Sequence, residues 1–411
     1  MFAGLSDTLV HIRNFLHAED CLSTVGVMRA LGVDIEFLNE HELVVKGNGP
    51  HGLSEPFSVL DAGNSGTTLR LMMGLLAPQP FFSTFSGDDS LTRRPMGRVL
   101  LPLAQMGAKI FGRSGNNNLP LTILPAEGKL HGIYYESPVA SAQVKSAILL
   151  AGLYADAPTT VTEPYISRDH TEQMLANFGV RLERSRTSIT IFPVETETYR
   201  APNEIIVPGD ISSAAYFLTA GSIIPGSRLL LNNVGINLTR TGILDVLSEM
   251  GAHITLRNKR QSGGEPVADI EVQAAQLHGV SFGAEIMPRL IDEIPILAAA
   301  ALFAEGDTVI SGAEELRVKE TDRLDAIAAE FSKIAPGSIE EREDGLVIHG
   351  QGKLRRAKVS SRGDHRMAMS LAVLAAAGKG AVLENPDSVN ISYPTFFSEM
   401  ERLSAARRKS V

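Results

Sequence analysis

The sequence predicts a mixed α/β chain of two domains, each assembled from three copies of one repeat. Two interleaved phrases carry that prediction. The first is an apolar residue, Gly, a small residue, any residue and an aliphatic. It reads Leu31-Gly32-Val33-Asp34-Ile35, Met106-Gly107-Ala108-Lys109-Ile110, Phe178-Gly179-Val180-Arg181-Leu182 and Met250-Gly251-Ala252-His253-Ile254, and its glycines recur at nearly equal intervals. A stretch of helical pattern precedes each glycine and a β-type run follows, so each copy is a Gly-capped helix end that turns into a strand. A degraded fifth copy at Ile334-Ala335-Pro336-Gly337-Ser338-Ile339 has its pattern spoiled by Pro336. The second phrase is a polar cap, a helix of small apolar residues, a turn and a β-rich run. Its caps are Asn64-Ser65-Gly66, Ser141-Ala142-Gln143, Asp210-Ile211-Ser212, Asp292-Glu293-Ile294 and Asp364-His365-Arg366. The matching turns stand at Pro78, Asp156, Pro225, Gly306 and Gly378, at an almost constant distance from their caps, which marks one structural unit. Small residues such as Ala298 to Ala301 and Ala375 to Ala377 suit close helix packing inside a barrel-like core.

Taken in order, the repeats are uneven at the termini. Ala3-Gly4-Leu5-Ser6-Asp7-Thr8 reads as the end of a cap helix whose start would precede Met1. The sixth unit has its cap at Asp364 and a second helix from Pro394 to about Leu403, but no Gly corner and no closing strand. The expectation is two three-unit domains, residues 1–208 and 209–411, with the crossing near Pro208 and with a lost amino-terminal strand once completing the last unit. Gly47-Asn48-Gly49-Pro50-His51-Gly52 resembles a dinucleotide glycine pattern, but Pro50 breaks it and no helix follows, so it reads as a hairpin loop. Gly63-Asn64-Ser65-Gly66-Thr67-Thr68 lacks the lysine of a nucleotide P-loop, and His41-Glu42-Leu43-Val44-Val45 lacks the second histidine of a zinc protease. Arg407-Arg408-Lys409 reads as a frayed, solvated end.

Composition narrows the function classes. With 411 residues and 44% hydrophobic positions, the chain is long enough for two or three packed domains. A single cysteine, Cys21, excludes an internal disulfide, and no Cys/His spacing of the zinc kind occurs, so no metal is expected and a reducing compartment is. The most apolar run, Ile294 to Ala304, contains Pro295. It is well short of the roughly 18 apolar positions needed to span a bilayer, so no membrane partner is expected. The amino terminus shows no basic region followed by an apolar core and cleavage site, so no export signal is expected. A formal charge of −9 argues against nucleic acid as the main partner.

Arginines gather where helices begin: Ser90-Leu91-Thr92-Arg93-Arg94-Pro95, Ser167-Arg168-Asp169-His170, Thr239-Arg240-Thr241 and Lys319-Glu320-Thr321-Asp322-Arg323 each read as a helix start, and Arg366 follows the cap Asp364-His365. Each could be a solvated residue or the partner of a neighbouring Asp. The helix dipole disfavours a cation at that position, however, so repetition of the choice points to bound anions such as phosphate or carboxylate. Two acids stand beside these cations. Glu320 lies between Lys319 and Arg323, and Asp292 is flanked by Leu290, Ile291 and Ile294. Asp292 reads either as a helix cap or as a general base in an apolar setting, and the residues alone leave both open.

These residues resemble a family. Gly63-Asn64-Ser65-Gly66-Thr67-Thr68-Leu69-Arg70, Arg94-Pro95-Met96, Ser141-Ala142-Gln143, Ser167-Arg168-Asp169-His170-Thr171, Pro208-Gly209-Asp210-Ile211-Ser212-Ser213-Ala214, Leu290-Ile291-Asp292-Glu293-Ile294-Pro295, Val318-Lys319-Glu320-Thr321-Asp322-Arg323 and Gly363-Asp364-His365-Arg366-Met367 are similar, in order and over the whole chain, to 5-enolpyruvylshikimate-3-phosphate synthases of the class II, Bacillus-like branch. The resemblance implies a two-domain enolpyruvyl transferase fold, an inside-out α/β barrel with three units per domain and the active site in the cleft. It implies transfer of the enolpyruvyl group of phosphoenolpyruvate to the 5-hydroxyl of shikimate 3-phosphate, with no cofactor, in a cytoplasmic monomer of aromatic amino acid biosynthesis. Carried over residue by residue, Asp292 is the base at the hydroxyl and Glu320 the proton donor to the methylene carbon. Gly66, Arg94, Gln143, Arg323 and Arg366 would hold phosphoenolpyruvate, and Ser141, Ala142, Gln143, Arg168, Asp292 and Lys319 would hold shikimate 3-phosphate.

Departures accompany the match. The family's opening Gly-Asp/Ser-Lys-Ser-x-Ser/Thr-x-Arg segment, which binds both ligands, is absent from this sequence, and Ile391 takes the place of a lysine that some branches use for phosphoenolpyruvate. Severely reduced turnover and a destabilised carboxy-terminal domain are therefore expected of this polypeptide. A non-catalytic relative that still binds shikimate 3-phosphate is the alternative. The sibling transferase acting on UDP-N-acetylglucosamine carries a cysteine ahead of its loop arginine, whereas Cys21 lies far from Arg94.

Overall fold

The computed structural model describes residues 1–195 and 198–409, with side chains through residue 404. Contacts divide it into two compact units: Met1–Val207 with Gln261–Glu265, and Pro208–Arg260 with Pro266–Val411. Each unit has its own hydrophobic core.

In the first unit three four-stranded sheets share one order. Leu60–Asp61 runs parallel to Ser83–Ser86, which pairs antiparallel with Asn118–Ile123, and Ile110–Gly112 closes the edge. Tyr134–Glu136, Thr159–Thr162, Ser188–Ile191 and Leu182–Ser185 repeat that order. The first sheet, Val10–Arg13, Glu42–Lys46 and Asp34–Asn39, takes its parallel edge strand from the far end of the unit, Glu204–Ile206, in the register His11 to Glu204 and Arg13 to Ile206. In the second unit Ser281–Phe282, Asp307–Ile310, Gly345–His349 and Ile339–Arg342 form the same four-stranded sheet. Beside it are a three-stranded sheet built on Arg228–Gly235 and a parallel pair, Ala357–Ser360 with Ala381–Glu384.

The small-residue helices fill the middle of each unit. Ile211–Ile223, Ile294–Ala301 and His365–Ala377 pack on one another in the second unit, and Gly66–Leu76 packs on Ala142–Gly152 in the first. Every residue of Ile294–Ala301 is buried. Their small side chains allow backbone to approach backbone: a Cβ at Gly74 would stand 2.1 Å from the Ala147 carbonyl oxygen. The strands flank these helices with alternating burial, as in Ser83–Ser86, which suits a sheet with one face on the core.

The four Gly corners form as read. Gly32, Gly107, Gly179 and Gly251 have φ of 87°, 95°, 84° and 91°, each just past a helix end and before a strand. Gly337 has φ of 76° between the helix Arg323–Ile334 and the strand Ile339–Arg342, so the fifth corner is intact despite Pro336. The turn needs only the left-handed glycine, and Pro336 precedes it without blocking it. A Cβ added at Gly107 would find nothing nearer than 3.8 Å, so Gly107→Ala carries the conformational cost alone. We expect a loss of about 1–2 kcal/mol, read as a lower urea midpoint.

Other expectations change. Gly47 to Gly52 is no hairpin loop, because the strand before it belongs to the first sheet and the next strand, Leu60–Asp61, to another. The segment instead packs on the unit's own backbone: a Cβ at Gly47 would meet the Gly4 carbonyl oxygen at 2.0 Å, and the Pro50 carbonyl accepts the Tyr154 hydroxyl at 2.7 Å. Arg94 does not open a helix. It follows the short helix Asp89–Arg93, and the next helix, Gly97–Gln105, starts after Met96. The last helix runs Phe396–Lys409, beyond the expected end at Leu403; the expected frayed side chains of Arg407 to Lys409 lie outside the described ones. No helix among the described residues is long and apolar enough to cross a membrane.

Candidate active site

In the first unit the site grows from the start of the helix Gly66–Leu76. Ser65 caps it, its side chain accepting the Thr68 N–H, and the buried Gly66 leaves the first turn open. Two guanidinium groups surround that turn: a Cβ at Gly66 would lie 2.8 Å from Arg70 Nη1 and 3.5 Å from Arg94 Nη1. Arg70 donates to Gln143 Oε1 at 2.7 Å, and Gln143 Nε2 donates to Thr67 Oγ1 at 2.9 Å. Arg94 Nη2 donates to Asn64 Oδ1 at 2.9 Å and Ser90 Oγ at 3.1 Å. Gly66, Arg94 and Gln143 therefore come together. Arg70 joins them although the motif reading assigned it no role; its place one helical turn after Gly66 was the available signal. Ser141 and Ala142 open the helix Ala142–Gly152, and Arg168 lies half-buried just before the helix His170–Asn177.

In the second unit Asp292, Lys319, Glu320, Arg323 and Arg366 form one cluster. Arg323, with 1% of its side chain exposed, directs Nε to Asp364 at 2.8 Å, Nη1 to Asp292 at 3.4 Å and Nη2 to Glu320 at 2.6 Å. Burial opposes its charge, but Asp364 and Glu320 more than offset that, and its pKa lies above the ordinary guanidinium value. Lys319 Nζ stands 3.9 Å and Arg366 Nη2 3.8 Å from the Asp292 carboxylate. Asp364 also caps the helix His365–Ala377, accepting the N–H groups of Arg366 and Met367, and so ties Arg323 to the turn that carries Arg366.

Asp292 is not a helix cap. It lies in the 3-10 turn Ile291–Glu293, and the N-cap of the helix Ile294–Ala301 is Glu293, whose side chain makes no capping bond. Its setting is cationic rather than apolar: Leu290 and Ile294 turn into the core while the carboxylate faces Lys319, Arg323 and Arg366.

His365 sits beside this cluster, and its Nδ1 has no hydrogen-bond partner among the described residues. Burial lowers its pKa from 6.5 to about 4. The unfolded chain binds this proton first as pH falls, so the stability tied to neutral His365 is complete above pH 6.5 and is lost on the way to pH 4. We expect roughly 3 kcal/mol to disappear over that window, and His365→Gln to flatten the acid limb of a stability-against-pH curve.

Repeated sheets around buried helices, with arginines aimed at the first turns of those helices, define an enolpyruvyl transferase fold. The chain superimposes on the enolpyruvyl transferase NikO from Streptomyces tendae with a TM-score of 0.76 at 17% identity, covering 98% of this chain and 90% of that one, a likeness of fold alone. The family model of EPSP synthase (3-phosphoshikimate 1-carboxyvinyltransferase) matches residues 1–400, and the chain belongs to that family. It is similar to the 3-phosphoshikimate 1-carboxyvinyltransferase of Bacillus thuringiensis (strain Al Hakam), with 50% identity over 405 residues, 98% of this chain and 93% of that one. The enzyme of the same name from Thermoanaerobacter sp. (strain X514) matches equally in identity and coverage. EPSP synthase from Acinetobacter baumannii superimposes with a TM-score of 0.88 at 41% identity, covering 98% of this chain and 92% of that one.

Proposed function

We propose that the chain transfers the enolpyruvyl group of phosphoenolpyruvate to the 5-hydroxyl of shikimate 3-phosphate, releasing phosphate. Beyond family membership, one observation carries the reading: a single carboxylate, Asp292, is ringed by Lys319, Arg323 and Arg366, with a second acid, Glu320, on the same arginine. The hydroxyl oxygen attacks C2 of phosphoenolpyruvate, Asp292 takes the hydroxyl proton, and Glu320 gives a proton to the methylene carbon. The tetrahedral adduct then loses phosphate from C2 and a proton from the new methyl group, which restores the double bond. Arg323 meets the substrate carboxylate by exchanging a protein one. Glu320 is the one exchanged, since its side chain is 26% exposed against 12% for Asp292 and 0% for Asp364.

In the same reading Arg94, Arg366, Gln143 and Gly66 bind phosphoenolpyruvate, while Ser141, Ala142, Gln143, Arg168, Asp292 and Lys319 bind shikimate 3-phosphate. Fixed cations facing dianions supply the electrostatic preorganisation that such a reaction needs. The reading also has the chain acting in the cytoplasm and as a monomer. The test is release of inorganic phosphate from phosphoenolpyruvate. Release that depends on shikimate 3-phosphate is expected, and none with both substrates present overturns the proposal.

A further inference from the structure

The helix Ala142–Gly152 carries a buried lysine in its first turn. Lys145, with 4% of its side chain exposed, lies 3.0 Å from Glu163 and 2.8 Å from Glu172, both equally inaccessible, and reaches the Ser167 carbonyl at 3.4 Å. A buried ion cluster of this kind is weak evidence for stability, because desolvating the charges offsets their attraction. What distinguishes it is where the carboxylate oxygens of Glu163 point. Oε1 accepts the Ser141 N–H at 2.9 Å. Oε2 accepts the Ser167 hydroxyl at 2.8 Å and the Ser167 N–H at 3.4 Å. Ser141 opens one proposed substrate segment and Ser167 precedes Arg168 in the other, with the whole helix Ala142–Gly152 and the strand Thr159–Thr162 between them in sequence.

We infer that Glu163, held in place by Lys145, is a positioning residue that fixes the segments 141–143 and 167–168 at the separation that shikimate 3-phosphate requires. The inference rests on the proposed function. Its two acceptor oxygens serve one segment each. An amide at this position has to keep its single acceptor oxygen toward the Lys145 ammonium and Ser167, which sets its NH2 group against the Ser141 N–H and releases that segment. Lys145 keeps Glu172 as a counter-charge in Glu163→Gln, so no buried charge is left alone.

The experiment is calorimetric binding of shikimate 3-phosphate and of unphosphorylated shikimate to the unsubstituted chain, Glu163→Gln and Glu172→Gln. Glu163→Gln is expected to lose at least tenfold in affinity for shikimate 3-phosphate, with less loss for shikimate. Glu172→Gln, which keeps the Glu163 contacts, is expected to stay within about twofold. Unchanged affinity in Glu163→Gln overturns the inference, as does an equal loss in Glu172→Gln, which would mark the cluster as core structure only. If Glu163→Gln does not fold, Glu163→Asp replaces it: the shorter carboxylate keeps charge and both oxygens but reaches one segment at a time, and wild-type affinity in that variant likewise overturns the inference. Failure of the unsubstituted chain to bind shikimate 3-phosphate overturns the functional reading itself and this inference with it.

Discussion

Asp292→Asn is expected to lower turnover by roughly 10³-fold, the scale of a lost general base. The amide keeps the size of the side chain and one acceptor oxygen but takes no proton from a hydroxyl. The fold should survive, because Arg323 retains Asp364 and Glu320 and only one of its three carboxylate partners is neutralised. Binding of the two anionic substrates should hold or tighten, since Lys319 and Arg366 lose a competing negative charge. The loss should therefore fall on kcat rather than on KM. Steady-state phosphate release, with shikimate 3-phosphate binding measured in parallel, checks it. Turnover within tenfold of the unsubstituted chain would remove Asp292 from the chemistry and leave it as a partner of the arginines.

Arg323→Leu should cost about 3–5 kcal/mol of the stability of the second unit, the range for a buried ion pair that has lost one partner. That is a large share of the roughly 5–15 kcal/mol that holds a domain folded. Asp364, with no exposed side-chain surface, would be left without its closest cation, while Glu320 is partly exposed and can turn to water. The two carboxylates thus differ in what they lose. Combining Arg323→Leu with Asp364→Asn should recover part of the loss, because both buried charges are then gone, whereas adding Glu320→Gln should recover little. Urea unfolding of the four chains reads the coupling. A shift for Arg323→Leu no larger than that of an exposed arginine would overturn the prediction.

The fold was legible wherever a few neighbouring residues settle the backbone. Each Gly corner needs a left-handed residue after a helix, and Gly32, Gly107, Gly179 and Gly251 supply it within one turn. Ser65, Asp210 and Asp364 cap helices through N–H groups two or three positions on. Misreadings arose where a local rule met a tertiary constraint. Ser90 to Pro95 read as a helix start, but the chain ends one short helix at Arg93 and starts the next at Gly97, where Asn117 Oδ1 takes the Gly97 N–H at 2.6 Å. Gly47 to Gly52 read as a hairpin loop because Pro50 breaks its dinucleotide glycine pattern and no helix follows. Gly49, with φ of 85°, does sit in a turn, but Gly47 marks instead a close passage over the backbone of Gly4.

Residue types at the candidate site were visible in the same way: guanidinium groups at helix starts, and two acids beside them, are one-dimensional patterns. Their partners were not. Arg323 meets Asp364 across 41 residues and Asp292 across 31, and Arg70 meets Gln143 across 73. By itself the sequence determined the repeat, its caps and corners, and the cationic and acidic residues available for chemistry, because these follow from backbone dihedrals and contacts within a turn of helix. Only the tertiary structure decided that Asp292 faces three cations instead of capping a helix, that Arg323 is buried among three carboxylates, and that Glu163 bridges Ser141 and Ser167. Those outcomes depend on which helices pack together in each core, and it is burial there that turns neighbouring charges into strongly coupled ones.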